Sequence, residues 1–289
     1  MGKKVLITGA RGMLGRELVP ILTSEGYDVT GVDIDDVNLT NENLLRNYVL
    51  FKKPDVIIHT GALTDVDAAE DTPELSQMVN VDGTKYIARI AEKLGSYLIY
   101  ISTDYVFDGT KKCPYTETDE PNPINVNVYG KTKYLGEKEV EGYAKNWLIV
   151  RSAWLFGEKR SSFPVKIYRK AIANSFLRLV TDEIGSPTYA RDLARSIINL
   201  MVKNVEGIFH FVNSGEASRY DLAIKTLEYA NLTSVKVEKI TAFEFKTRAK
   251  RPKYSVLDTS KYANIFGIPR RWEDALRAFF EDYDISKLQ

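Results

Sequence analysis

The stretch Val5-Leu-Ile-Thr-Gly-Ala-Arg-Gly-Met-Leu-Gly15 constrains this chain more than any other. A short apolar run of strand character passes through glycines at 9, 12 and 15 into an amphipathic segment. Residues without side chains at that turn let backbone N–H groups come close to a pyrophosphate, and the positive end of the following helix favours its charge. The stretch therefore predicts a strand–turn–helix unit that opens a dinucleotide-binding fold, with Gly9, Arg11, Gly12, Met13, Leu14 and Gly15 around the cofactor. Asp33 lies 18 residues beyond Gly15, at the end of the next strand. An acid there accepts hydrogen bonds from an adenosine ribose diol, which points to NADH. Arg11 inside the turn could instead meet a 2′-phosphate, which points to NADPH, so both cofactors stay open.

The rest of the first half continues the rhythm. Val5–Thr8, Asp28–Val32, Asp55–His59, Tyr97–Ser102 and Leu148–Arg151 read as strands apolar on both faces. Amphipathic stretches at Leu14–Ser24, Asn41–Phe51, Pro73–Leu94 and Tyr129–Tyr143 alternate with them. This is the pattern of an α/β, Rossmann-like doubly wound parallel sheet. Beyond residue 152 the rhythm loosens into helical runs at Val165–Ala173 and Arg191–Met201, a strand at Ile208–Val212 and a mixed tail. Residues 1–152, with about 188–212, are expected to form the nucleotide-binding domain. Residues 153–289 are expected to form mainly a smaller substrate-binding lobe interleaved with it. The segment from Asp104 to Asn127, with prolines at 114, 121 and 123, is the longest irregular piece, and a loop of that length beside a sheet is often functional.

Bulk composition removes several classes of function. Forty basic against 39 acidic residues leave a formal charge of +1, so no general field attracts nucleic acid or an anionic membrane. One cysteine and two well-separated histidines argue against disulfides and zinc. No run approaches the roughly 18 apolar residues of a membrane span, and the chain opens directly into a strand pattern, so a cytoplasmic location is expected.

The spacing Tyr-x-x-x-Lys occurs four times among 17 tyrosines, at Tyr48/Lys52, Tyr129/Lys133, Tyr134/Lys138 and Tyr283/Lys287. Residues four apart share a helix face, so a lysine can act on the phenol or on a shared ligand, but spacing alone does not choose among the pairs. Position does. Ser102 and Thr103 end the fourth strand at the carboxyl edge of the sheet, where ligands bind in such folds, and Tyr129 opens the next helix on the same crevice. Tyr134 lies about 140° around that helix, so both phenols cannot face the crevice, and its pair reads as solvated surface.

The glycine pattern, Ser102-Thr-Asp-Tyr-Val-Phe-Asp-Gly109 and Tyr129-Gly-Lys-Thr-Lys133 resemble the extended short-chain dehydrogenase/reductase family and, within it, the dTDP-4-dehydrorhamnose reductases. Pro54–Ile58, Thr64–Asp67, Gly136-Glu137, Gly185–Thr188 and Arg251-Pro252 extend the resemblance over nearly the whole chain. It implies Thr103, Tyr129 and Lys133 as catalytic residues. Ala62, Tyr129 and Lys133 would contact NADPH or NADH, and Asn80, Thr103, Trp154 and Arg251 would contact a dTDP-linked sugar. The implied reaction reduces the 4-keto group of dTDP-4-dehydro-6-deoxy-L-mannose to dTDP-L-rhamnose. Tyr129 would protonate the oxygen, with Lys133 lowering the phenol's pKa and Thr103 orienting the carbonyl. Arg248, Lys250 and Arg251 could meet the diphosphate. Related dehydratases read Thr-Asp-Glu where this chain has Thr103-Asp104-Tyr105, which favours plain reduction. The resemblance also covers reductases of other nucleotide-linked keto sugars and the non-catalytic β regulatory subunit of methionine adenosyltransferase. It implies a homodimer through the Pro73–Leu94 and Tyr129–Tyr143 helices. The family's dimer-linking metal uses acids, and Arg16 follows Gly15 here, so no metal is expected.

Overall fold

The computed structural model describes residues 2–123, 126–159 and 161–287. Its first half runs β1 (Lys4–Thr8), α1 (Met13–Ser24), β2 (Asp28–Val32), α2 (Glu42–Lys52), β3 (Val56–His59), α3 (Val66–Asp71), α4 (Pro73–Gln77), a π-helical turn (Met78–Asp82), α5 (Gly83–Leu94), β4 (Tyr97–Thr103), α6 (Val128–Tyr143) and β5 (Trp147–Ser152). The second half runs β6 (Leu155–Phe156), α7 (Phe163–Ala173), β7 (Phe176–Val180), β8 (Ile184–Gly185), β9 (Thr188–Tyr189), α8 (Ala190–Lys203), β10 (Gly207–His210), β11 (Ala217–Ser218), α9 (Arg219–Tyr229), β12 (Lys236–Ile240), α10 (Ser260–Phe266) and α11 (Trp272–Asp282).

Strands apolar on both faces need helices on both sides, and they have them here. Six strands form one sheet in the order β2-β1-β3-β4-β5-β10, every pairing parallel. On one face Leu14, Leu18 and Leu22 of α1 pack with Leu193, Ile197 and Leu200 of α8. On the other, Leu45 and Val49 of α2, Ile87 and Ala91 of α5 and Val140 of α6 close a second layer. The order reverses between β1 and β3, which opens a crevice beyond their carboxyl ends.

Three expectations need correction. β2 is not buried on both faces: it is the sheet edge, and of its residues only Val32 is buried. The last strand stops at His210 rather than Val212. The single helix expected over Pro73–Leu94 is broken by the π-turn at 78–82, an insertion frequent at functional sites.

The loosened rhythm of the second half reflects pairings between distant segments, two of the three only two residues long. β6 joins β9 and β7 joins β12 in parallel, while β8 meets β11 antiparallel. Phe156, Tyr189, Leu276 and Phe279 form a core beneath them. The long loop after β4 is tied down by stacking of Phe107 on Tyr115 at 4.2 Å and by a bridge between Tyr115 and Leu257. Its residues 124 and 125 lie outside the described residues.

Candidate active site at the carboxyl edge of the sheet

Gly9 takes φ +69°, in the left-handed region that favours glycine, and a Cβ there would lie 2.8 Å from the backbone nitrogen of Gly61. A Cβ on Gly15 would collide with the Gly9 carbonyl. Gly12 caps α1 with no side-chain bond, and no acid stands in the first turn. The backbone amides around Met13 and Leu14 are therefore not claimed by a capping side chain, at the positive end of the helix dipole. Leu14 itself is buried, and Ala62 lies half-buried in the loop after β3. A tight turn that a Cβ on Gly9 or Gly15 would force apart, leading into unclaimed helix amides, fits a dinucleotide pyrophosphate. Asp33 follows β2 and accepts from the backbone N–H of Arg11 at 2.9 Å, while the Arg11 guanidinium donates to Asp35 at 2.8 Å.

At the end of β4, Thr103 is buried, accepts from the Tyr105 amide at 3.2 Å and donates to Asp104 at 3.1 Å. Asn127 caps α6 by accepting from Gly130 N–H at 2.7 Å, and its amide donates to the Lys250 carbonyl at 2.9 Å. A Cβ on Gly130 would collide with the Tyr105 carbonyl, so glycine lets α6 start directly against the strand end. Tyr129 is thereby set half-buried beside Thr103, its ring edge-on to Tyr105 at 6.1 Å. Tyr129 and Thr103 come together as the sequence suggested.

Lys133 lies one turn further, buried, with Nζ 4.0 Å from the centre of the Tyr100 ring. Burial pushes its ammonium down to about 7, against the raising effect of Glu137. The expected lowering of the Tyr129 phenol is not found. Burial holds that phenol above its ordinary value, Asp104 and Tyr105 add to this, and Thr103 opposes it. The reason is positional: Lys133 is buried with its Nζ over the Tyr100 ring. Glu137, one turn on again, makes a two-pronged buried pair with Arg151 at 2.8 and 2.7 Å.

The other tyrosine–lysine pairs lie elsewhere. Tyr134 is half-buried against a cluster containing Val106, Phe107 and Tyr115, not solvated as expected, although Lys138 sits exposed over its ring at 5.2 Å. Lys52 lies over Tyr48 on α2, and Tyr283 donates to Glu17 at 2.7 Å.

The candidate substrate residues divide. Asn80, on the π-turn, is wholly buried; it accepts from Leu63 N–H at 2.8 Å and donates to the Leu63 carbonyl and Thr132, both at 3.1 Å. Its amide is spent on positioning the loop after β3 and helix α6, which corrects its assignment as a sugar contact. Trp154, at φ +43°, is half-buried between Gly185 and Arg219, whose guanidinium lies 3.5 Å from its ring centre. Arg251 bonds Asp67 at 2.8 Å and the exposed Arg248 pairs with Asp71, so both are tied to α3, while Lys250 is exposed.

Two groups were missed. Asp104 is buried and pushed up to about 6 by that burial, despite bonds from Ser255 at 2.5 Å and from Thr103. Its place at the strand end was the available signal. Arg219 had none, because its approach to Trp154 depends on pairing between distant segments. Glu17 of α1 pairs with Arg191 at 2.9 Å, and among the described residues no cluster of three His, Cys, Asp or Glu side chains could hold a metal. No helix among them is long and apolar enough to cross a membrane.

A parallel sheet with a glycine cradle on one side of its crevice and Thr, Tyr and Lys on the other defines the Rossmann-like reductase class. The chain belongs to the family described as RmlD substrate binding domain, matched over residues 3–285. It is 38% identical over 287 residues to a dTDP-4-dehydrorhamnose reductase of Aggregatibacter actinomycetemcomitans, covering 95% of this chain and 97% of that one. It is 35% identical over 279 residues to the spore coat polysaccharide biosynthesis protein SpsK of Bacillus subtilis, covering 96% and 97%. The dTDP-4-dehydrorhamnose reductase of Bacillus anthracis, solved in complex with NADP, superposes with a TM-score of 0.94 at 35% identity, covering 98% of this chain and all of that one.

Proposed function

We propose that this chain uses NADPH or NADH to reduce the 4-keto group of dTDP-4-dehydro-6-deoxy-L-mannose, giving dTDP-L-rhamnose. The observation that carries the reading is the placement of Tyr129 against Thr103 at the mouth of the crevice, opposite the glycine cradle. When bound, the reduced nicotinamide supplies a hydride to the carbonyl carbon. The chain's residues handle the oxygen. Tyr129, a phenol that is protonated at neutral pH by its ordinary value near 10 and that burial raises further, gives its proton to the oxygen as negative charge builds there. Thr103 sits where its hydroxyl can orient that oxygen. Lys133 lies one turn behind Tyr129, where it can hold the nicotinamide ribose. Trp154 and Arg219 offer a face for the sugar, with Arg251 beside them, in a lobe contributed mainly by residues 153–289. The supporting relatives carry the corresponding reductase name. We further read the protein as a cytoplasmic homodimer, since such substrates and cofactors are cytoplasmic metabolites and α5 and α6 present outer helical surfaces.

The test follows the near-ultraviolet absorbance of reduced nicotinamide with the keto sugar generated in place. Wild type should turn over, and Tyr129→Phe should lose roughly a hundred- to ten-thousand-fold in kcat while still binding cofactor. No turnover by wild type on this sugar, with turnover on another dTDP-linked ketone, would move the substrate assignment. A relative at 34% identity is named dTDP-4-keto-6-deoxy-D-glucose reductase.

A further inference from the structure

We propose that Asp104 is a positioning residue of this site: carrying a proton, it turns the Thr103 and Tyr129 hydroxyls toward the ketone oxygen, and as a carboxylate it draws both away. The proposal rests on the reductase reading above, and it gives a task to a buried acid to which that reading assigns none.

Asp104 is only 2% exposed, and both of its oxygens are taken. Oδ1 accepts from Thr103 Oγ1 at 3.1 Å, and Oδ2 accepts from Ser255 at 2.5 Å. Thr103 Oγ1 in turn accepts from the Tyr105 amide at 3.2 Å and is hydrogen-bonded with the Tyr129 phenol. The end of β4, the start of α6 and the segment carrying Ser255 therefore meet in one chain of bonds. The Arg219 guanidinium, at the start of α9, is the positive charge that bears on Asp104, and Glu183 lies 3.8 Å beyond it. Burial outweighs that charge and holds the acid up at about 6.

A hydroxyl has one proton to give, so the direction of this chain is set at its acidic end. A carboxylate only accepts. With Asp104 ionised, Thr103 donates to it, and the Thr103 oxygen is left as an acceptor for the Tyr105 amide and the Tyr129 phenol. Both hydroxyl protons then point into the protein. With Asp104 protonated, its own O–H donates to Thr103, and the Thr103 proton turns to the crevice together with that of Tyr129. Ser255 stays on Oδ2 in both states. A ketone oxygen gaining negative charge then meets two donors, and loss of one such donor costs about a hundred- to a thousand-fold in rate. Asp104 keeps its proton through the reaction, since the oxygen takes its own from Tyr129. A bound sugar shuts water away from Asp104, which favours the uncharged form further.

The experiment measures kcat and kcat/KM for the keto sugar between about pH 5 and about pH 8 in wild type, Asp104→Asn and Ser255→Ala. In wild type, kcat/KM reports the free protein and should fall by roughly tenfold per pH unit above about 6; the same limb in kcat should lie higher, because the sugar is then bound. Asp104→Asn keeps the shape but cannot ionise, so it should lose this limb. Ser255→Ala removes a bond that favours the carboxylate, so its limb should move up by about one pH unit. Lys133, which burial brings down to about 7, is present in all three proteins, so its own limb is common to them. An Asp104→Asn profile with the wild-type limb intact, a Ser255→Ala limb that stays in place, or a uniform loss of rate at every pH would overturn the proposal. If Asp104→Asn does not fold, the Ser255→Ala limb decides alone. Failure of wild type to reduce any dTDP-linked ketone would overturn the reductase reading, and the proposal with it.

Discussion

Arg151→Met should be among the most destabilising single changes outside the apolar core. Arg151 and Glu137 have side chains only 2% and 1% exposed, and they meet through two hydrogen bonds of 2.8 and 2.7 Å. Methionine fills much of the same volume but leaves the Glu137 carboxylate in a dry site without its partner. It also removes the guanidinium from its place 5.2 Å over the Phe107 ring. Stranding one member of a buried pair costs about 3–5 kcal/mol. Unfolding entropy of about 2.1 cal/mol/K per residue, over a chain of 289 residues, is near 0.6 kcal/mol/K. The midpoint should therefore fall by roughly 5–8 °C. Replacing both residues with methionine should recover most of the loss, because well-packed apolar side chains often match a buried ion pair in stability. Thermal melts followed by circular dichroism, with urea titrations to confirm the free energies, measure all three proteins. The reasoning fails if Arg151→Met costs under about 1 kcal/mol, or if the double variant is as unstable as the single one.

Gly15→Ala forces a Cβ against the Gly9 carbonyl, so the variant should lose cofactor affinity at least tenfold or so while keeping most of its helix content; unchanged affinity in a dinucleotide titration would contradict the cradle. Tyr134→Phe should retain nearly full kcat, in contrast to Tyr129→Phe, and equal losses in steady-state rates would remove the distinction between the two tyrosines. Acid should weaken the fold. Burial lowers both His59 and His210 to about 3, so below their ordinary 6.5 the unfolded chain takes up protons that the folded chain refuses, and stability falls by about 1.4 kcal/mol per pH unit for each. Asp104, raised to about 6, works the other way between 3.8 and 6, because there the folded chain holds the extra proton. Glu117 and Glu183, raised by burial, act with Asp104, whereas Asp67 and Asp119, held low by their hydrogen-bonded partners, act with the two histidines; the expected balance is a net loss as pH drops from 6 to 4, and a flat urea midpoint across that range would refute it.

The sheet was legible because its central strands are buried on both faces and each ends in a recognisable turn. The placements of Gly9 to Gly15 and of the residues around Tyr129 were legible for a related reason: their positions are set by backbone geometry that few residue types permit. Asn80 was not. An amide in a helix reads the same whether it faces a sugar or the Leu63 backbone, and the π-turn that aims it leaves no periodicity to detect. Strand pairs of two residues, such as Leu155–Phe156 with Thr188–Tyr189, fall below the length at which alternation means anything, so the surroundings of Trp154 and Arg219 could not be assembled from the chain order. The expected lowering of the Tyr129 phenol by Lys133 was not legible because spacing gives proximity on a helix but not the neighbours that bury both groups.

The return of α8 and β10 to the main sheet governs the order in which the molecule can be built. Leu14, Leu18 and Leu22 find their cover in Leu193, Ile197 and Leu200, and β5 meets β10 only once His210 exists. A nascent chain that has emerged as far as Ser152 carries five of the six strands but has only α1 to cover one face. The intervening lobe must therefore be synthesised before the first half can close, and a fragment cut at 152 should be sticky and prone to aggregate rather than a free-standing cofactor-binding unit.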